Sequence, residues 1–154
     1  MWIPWEEDDP VLWHFPWRKS VGYFGAVRLR DGLGLFQKEN DKFNGMTFWN
    51  FLQPLRQLSA QSQRRVVVIT DNAKYHHARL HQDWREQQAP DFVLDYLPPY
   101  SPELNPVERV WKRTRRNCVH NVYFPTLQAL VEKVERQFAK WSKPNDELAR
   151  LCQI

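Results

Sequence analysis

Two carboxylates stand where a polypeptide could do chemistry on a phosphate. Asp71 ends the run "VVVITD" (66–71), and Glu108 lies in "NPVERVW" (105–111). The first run is apolar or β-branched without a break, which predicts a fully buried strand in a parallel or mixed sheet. Functional groups collect at the carboxyl ends of such strands. Residues 72–107 separate the two acids, enough for one helix and one strand. That path returns the chain to the same edge of the sheet. Two carboxylates brought together in this way can share hard divalent cations, which prefer oxygen ligands. Paired Mg²⁺ ions suit in-line attack on a phosphodiester, because they clamp both the attacking and the leaving oxygen. Each acid also has a plainer use. Asp71 fits a cap on the next helix. Glu108 fits the third position of a capping box with Asn105 as N-cap and Pro106 as first helical residue. The two uses are compatible, and spacing alone does not separate them.

Five of the eight residues from 109 to 116 are basic: Arg109, Lys112, Arg113, Arg115 and Arg116. A clustered basic stripe points to a polyanionic partner such as DNA more than total charge does. The plainer reading is a solvated helix face. Trp111 lies four residues from Val107 on the same helical face, which places it in the core and not on a base.

The elements that must position these groups can be read in order. The 154 residues suit one domain with one core. Residues 1–19 carry three prolines and no period, an irregular lead-in. Residues 20–30 and 33–37 flank Asp31-Gly32 and read as a hairpin. Phe48, Phe51, Leu52, Leu55 and Leu58 recur at steps of three and four, an amphipathic helix with Thr47 as N-cap and a flaw at Pro54. A polar helix is expected over 78–88 and a strand over 92–97. Four prolines between 98 and 106 stiffen the passage into the basic helix. Leu127, Leu130, Val131, Val134, Phe138 and Trp141 mark a further amphipathic helix. The domain is expected to run from 20 to 143, with 144–154 as a C-terminal tail. Strands followed by strands alternating with helices argue for an α/β sheet with helices against it.

Composition narrows the setting. The apolar fraction of 42% is that of a globular chain. The net charge of +4 is mild. Two cysteines, Cys118 and Cys152, make neither a disulfide framework nor a zinc pattern. No export leader and no membrane-length apolar run is visible. These features lead us to expect a cytoplasmic protein.

The wording of the motifs goes further than their spacing. "VVVITDNAKYHH" together with "LPPYSPELNPVERVW" closely resembles the catalytic core of DDE transposases of the mariner-like superfamily, in its bacterial insertion-sequence branch. The matching positions are Asp71, Asn72, His76, Pro99, Tyr100, Ser101, Pro102, Leu104, Asn105, Pro106, Glu108 and Trp111. "GYFGAV" and "MTFWNFLQPL" extend the likeness, which covers about residues 15 to 140. The resemblance implies a ribonuclease H-like mixed sheet flanked by helices. It also implies two Mg²⁺ or Mn²⁺ ions in a complete site, with water and then a DNA 3′-hydroxyl attacking phosphates at transposon ends. Asp71 and Glu108 would be catalytic metal ligands. Asn72, His76 and Asn105 would lie near the site, with His77 a rival to His76 by position. Both histidines also fit simple packing or capping roles, and Asn72 fits the turn. A homodimer is implied once such a chain is complete.

The family also has an earlier acid on the first strand of its sheet, usually as Asp-Glu. No strand-borne Asp precedes Ser20, and Asp8 and Asp9 sit between Pro4 and Pro10 in an acidic run. The chain therefore reads as N-terminally truncated, with the first strand missing and an upstream half as a partner. Catalysis by this chain alone is expected to be impaired. The alternative function is a non-catalytic DNA-binding remnant working through residues 109–116.

Overall fold

The computed structural model describes residues 20–40 and 42–153; the lead-in over 1–19, with Asp8 and Asp9, lies outside them. The hairpin forms as expected. Strand β1 (Gly22–Arg28) pairs antiparallel with β2 (Leu33–Glu39), from Gly22 opposite Glu39 to Arg28 opposite Leu33. Asp31 secures the turn by accepting from Arg28 Nε at 2.7 Å and from Leu33 N at 3.3 Å. Gly32 sits at φ 71°, where a side chain is disfavoured. Successive side chains of a strand point to opposite faces, and both faces of this hairpin are apolar. Phe24, Ala26 and Leu35 join a cluster with Phe48, Phe51, Leu52 and Phe92. Tyr23, Val27 and Phe36 join a second cluster built on Val134, Phe138 and Trp141.

Helix α1 (Gly45–Ser62) supplies the first cluster. Its cap differs from the expectation. Asn44, not Thr47, is the N-cap: Asn44 Oδ1 accepts from Met46 N at 2.9 Å and Thr47 N at 3.0 Å. Thr47 Oγ1 accepts in return from Asn44 N at 3.0 Å, so Thr47 is the third residue of a capping box. Pro54 is accommodated inside the helix.

Strands β3 (Val66–Thr70) and β4 (Phe92–Tyr96) pair in parallel, Val66 opposite Phe92 and Thr70 opposite Tyr96. The expectation of a fully buried β3 is corrected. Val66 and Val68 pack against the α1 cluster, but Val67 and Ile69 are 51% and 46% exposed. An unbroken apolar run reports that both faces can be buried, and only one of them is covered by a described element. The mixed sheet that the resemblance implies is present as two strand pairs. Among the described residues β1 and β2 form one sheet, and β3 and β4 another.

The polar helix expected over 78–88 is shorter. Residues 74–77 and 79–81 form two 3₁₀ turns, and α2 begins only at Gln82 (Gln82–Gln88). Burial of His76 and His81 bends the early part inward. Helix α3 (Val107–Thr114) continues into a π turn over Arg115–Val119, where His120 N donates to Arg115 O at 2.9 Å. Val110, Thr114 and Cys118, at steps of four, form its buried line. Trp111 packs against the same cluster and sits over Gly25, where an added Cβ would meet Trp111 Cζ2 at 2.7 Å. Helix α4 (Leu127–Trp141) buries Val131, Val134, Phe138 and Trp141 as its period predicts, with Phe138 stacked on Phe36 at 4.1 Å.

The expected C-terminal tail over 144–154 is corrected as well. Residues 145–152 belong to the core through α5 (Asp146–Leu151), capped where Asn145 Oδ1 accepts from Leu148 N at 2.8 Å. Asn145 also ties the hairpin turn, donating from Nδ2 to Gly32 O at 2.8 Å and from N to Asp31 O at 2.9 Å. Leu148 and Cys152 are fully buried; both cysteines are free thiols. Among the described residues no helix is long and apolar enough to cross a membrane.

Candidate active site

The parallel ladder decides where the acids go. Strands β3 and β4 run the same way, so the segments that leave them emerge at one end of the pair. Asp71 follows β3 directly. Leu97 N donates to Thr70 O at 2.9 Å, which carries the pairing past β4 and starts the proline passage beside Asp71. Tyr100 holds φ 59° within that passage and is fully exposed. Asn105 then fixes the start of α3, its Oδ1 accepting from Val107 N at 3.2 Å. Glu108 makes no return bond, so the expected capping box is half formed, and Pro106 precedes the helix instead of opening it. Glu108 lies in the first turn of α3, where the helix dipole favours a carboxylate. Among the described residues its carboxylate has no hydrogen-bond or ion-pair partner.

A cleft of about 880 Å³ opens along β1, α1 and β3, and Asp71, His76, Asn105 and Glu108 all line it. Asn72 and the five basic residues of 109–116 lie outside its lining. Asp71 is held from two sides. Its Oδ1 accepts from Ala73 N at 3.0 Å and lies 3.0 Å from His76 Nδ1. The same Nδ1 lies 2.9 Å from Asp71 O and 3.1 Å from Thr70 Oγ1. A carbonyl oxygen can only accept, so Nδ1 carries the proton and donates. His76 is buried, and its ring centroid stands 4.2 Å from that of Phe48. Its carbonyl accepts from Tyr96 Oη at 3.1 Å, and Arg85 Nη1 donates to Tyr96 Oη at 2.6 Å. Position thus separates the two histidines: His76 faces Asp71, while His77 Nε2 meets Asn72 Oδ1 and its ring stacks on Tyr96. Thr70, Tyr96 and Arg85 carried no signal as isolated letters. Their roles arise from the 3₁₀ turn that brings His76 back over Thr70.

Burial pushes the His76 imidazole below its ordinary pKa, against the raising effect of Asp71. Burial also lowers His81. A depressed folded-state value means that the unfolded chain takes up protons first as pH falls. The stability these neutral rings contribute is complete above about pH 6.5, the unfolded imidazole value, and is lost as pH drops through the lower folded values. Thermal melts of the chain should therefore show a falling midpoint between pH 7 and pH 5, and the two His→Gln variants combined should flatten that dependence.

The donor chemistry suits Mg²⁺ or Mn²⁺. Two carboxylates with hard oxygens reach one cleft, Asp71 is half exposed, and Mg²⁺ is commonly held by one or two carboxylates together with substrate phosphates and water. Among the described residues no group of three or more His, Cys, Asp or Glu gathers as a closed protein cage. The basic residues divide into two kinds. Arg109 Nη1 donates to Leu151 O at 3.2 Å and Gln153 O at 2.9 Å, and Arg113 Nε stands 3.8 Å from Glu147 Oε1. Lys112, Arg115 and Arg116 are exposed, with no side-chain partner among the described residues.

Residues 3–131 match the model of a family described as DDE superfamily endonuclease. Over 96 residues the chain is 32% identical to the insertion element IS630 39 kDa protein of Shigella sonnei, covering 61% of this chain and 27% of that protein. Over 97 residues it is 33% identical to protein y4pE/y4sA of Sinorhizobium fredii, covering 62% and 65% respectively. The chain thus spans about a quarter of the first relative and under two thirds of the second. Among solved structures, the Mos1 strand transfer complex matches 99% of this chain and 44% of its own, with a TM-score of 0.66 at 19% identity. The Mos1 mariner paired end complex with Mn gives a TM-score of 0.66 at 16% identity, over 99% and 46%. These two likenesses establish the fold, the ribonuclease H-like class that the motifs imply.

Proposed function

The chain belongs to the DDE superfamily endonucleases, and from that premise we propose that it is the downstream part of a transposase catalytic domain of the mariner and insertion-element type. It would act on phosphodiesters of DNA at transposon ends. The observation that carries this reading is the convergence of Asp71 and Glu108 on one cleft, at the carboxyl end of a parallel strand pair.

Asp71 and Glu108 would hold the divalent cations. Such ions, when bound, stabilise charge on the phosphoryl oxygens and lower the pKa of an attacking water. The chain's own residues set the geometry. His76 and the Ala73 N–H fix one oxygen of Asp71 and leave the other for a ligand. Asn105 fixes the first turn of α3, so the carboxylate of Glu108 starts from a rigid element. Two carboxylates bring two negative charges against the four positive charges of two dications. Residues 20–153 alone would therefore be impaired, and a further acid is required from sequence outside them.

The test joins an upstream segment encoding a strand that ends in Asp-Glu to this chain in one polypeptide. Mg²⁺-dependent nicking of DNA carrying the transposon ends is expected. Absence of nicking in a folded, completed chain would overturn the proposal.

A second reading, a DNA-binding remnant, is favoured by the three unpartnered cations Lys112, Arg115 and Arg116. If each contacts a phosphate, the joint alanine variant should lower the salt slope of DNA binding by about 2.7, roughly 0.9 per contact. Arg109→Ala should instead loosen the C-terminal segment and leave that slope nearly unchanged, because its guanidinium is engaged by carbonyls.

A further inference from the structure

We infer that Tyr96 and Arg85 are positioning residues for Asp71: acting through His76, they set how its carboxylate meets a divalent cation, without touching the cation themselves. The inference rests on the reading of Asp71 as a metal ligand. It adds two residues that lie outside the motifs around the acids.

A relay of polar contacts runs from α2 to the acid. Arg85 Nη1 donates to Tyr96 Oη at 2.6 Å, and Tyr96 Oη donates to His76 O at 3.1 Å. His76 Nδ1 lies 3.0 Å from Asp71 Oδ1. The order of donation cannot be reversed, because a guanidinium only donates and a carbonyl only accepts. Tyr96 stands opposite Thr70 in the parallel ladder, the residue before Asp71. Its ring also carries His77, with ring centroids 4.1 Å apart. One side chain thus holds two successive residues of the 3₁₀ turn that brings His76 to Asp71.

The turn needs such support. It spans only Lys74–His77, and 3₁₀ hydrogen bonds have poorer geometry than those of an α-helix. His76 N donates to Ala73 O at 2.9 Å, which fixes one end of the residue; Tyr96 fixes the other. The use of Arg85 is the more telling observation. A guanidinium commonly takes a carboxylate in a bidentate pair. Arg85 has no such ion pair among the described residues, and its Nε is buried without a hydrogen-bond partner there. Holding a cation in that state is unfavourable. The compensating effect is on the phenol: a hydroxyl that accepts from a cation donates more strongly, here to the carbonyl of His76. Partners that orient a metal ligand in this way typically change metal affinity 10- to 100-fold.

The test titrates this chain with Mn²⁺ and follows paramagnetic broadening of the amide signals at residues 71–73. Saturable broadening is expected, and Asp71→Asn should abolish it. Tyr96→Phe keeps the ring on His77 and removes only the hydroxyl. It should raise the Mn²⁺ midpoint about tenfold and speed amide exchange at Ala73 and His76. Arg85→Met, which leaves the tyrosine in place, should raise the midpoint by a smaller factor, and it carries the same test if Tyr96→Phe does not fold. Tyr96→Phe combined with His76→Gln should bind no more weakly than His76→Gln alone, because the tyrosine acts through the histidine. Val134→Ala removes packing from the α4 cluster; it should lower the melting midpoint and leave the Mn²⁺ midpoint unmoved. Several results would overturn the inference: no saturable broadening, a midpoint indifferent to the relay variants, additive effects in the double variant, or an equal shift in Val134→Ala. Nicking by the completed chain is a separate readout. The expected Mn²⁺ shifts without any nicking would overturn the proposed function and leave the positioning role standing.

Discussion

Asp71→Asn in the completed chain is expected to reduce Mg²⁺-dependent nicking by roughly a thousandfold or more while leaving the melting midpoint within a few degrees. The substitution keeps the shape of the side chain. An amide oxygen can still accept from the Ala73 N–H and from His76 Nδ1, the two bonds that hold the native carboxylate. What disappears is the negative charge facing the cations. A bound metal contributes several kcal/mol to stabilising charge in the transition state, and about 1.4 kcal/mol corresponds to a factor of ten in rate. His76→Gln should be milder, on the order of 10- to 100-fold, the usual cost of losing a partner that orients a metal ligand. The order of the two effects is the informative result, read from single-turnover nicking across a Mg²⁺ titration. A loss for His76→Gln that added Mg²⁺ recovers would mark it as a positioning residue. A loss for Asp71→Asn no greater than that for His76→Gln would show that Asp71 is not a metal ligand.

Trp141→Ala carries the largest expected effect on stability, about 3–5 kcal/mol. The side chain is 2% exposed and lies against Phe36 and Phe138. Its indole Nε1 donates to Glu147 Oε2 at 2.9 Å. Truncation leaves a cavity at the junction of β2, α4 and α5 and removes a tie to α5. Domains of this size are stable by roughly 5–15 kcal/mol in all, so the loss is a large fraction of the total and the variant's melting midpoint should fall by many degrees. Urea unfolding followed by tryptophan fluorescence and by circular dichroism measures the loss. Ile69→Thr is the contrast. That side chain is 46% exposed, and the change should cost less than about 0.5 kcal/mol.

The sequence by itself determined much of this protein. Steps of three and four marked the buried line of α4, and Asp31-Gly32 marked the hairpin, because both signals are local and the surrounding structure agrees with them. Asp71 and Glu108 were singled out by the resemblance of the words around them, because spacing alone did not separate a cap from a metal ligand. Other features depended on neighbours distant in sequence. Periodicity named Thr47 as a cap, but the free N–H groups at the start of α1 were met by Asn44. The short segment after Pro144 looked like a tail because six helical residues carry little period; Asn145 bonded to the hairpin turn, 113 residues away, makes it core. His76 and His77 are indistinguishable as letters, and only the 3₁₀ turn over Thr70 decides which one faces Asp71. The apolar run at β3 was read correctly as a strand, but its expected full burial was not found, since Val67 and Ile69 are half exposed. Whether both faces are covered depends on which elements pack over them, and among the described residues only the face that carries Val66 and Val68 packs against a core cluster.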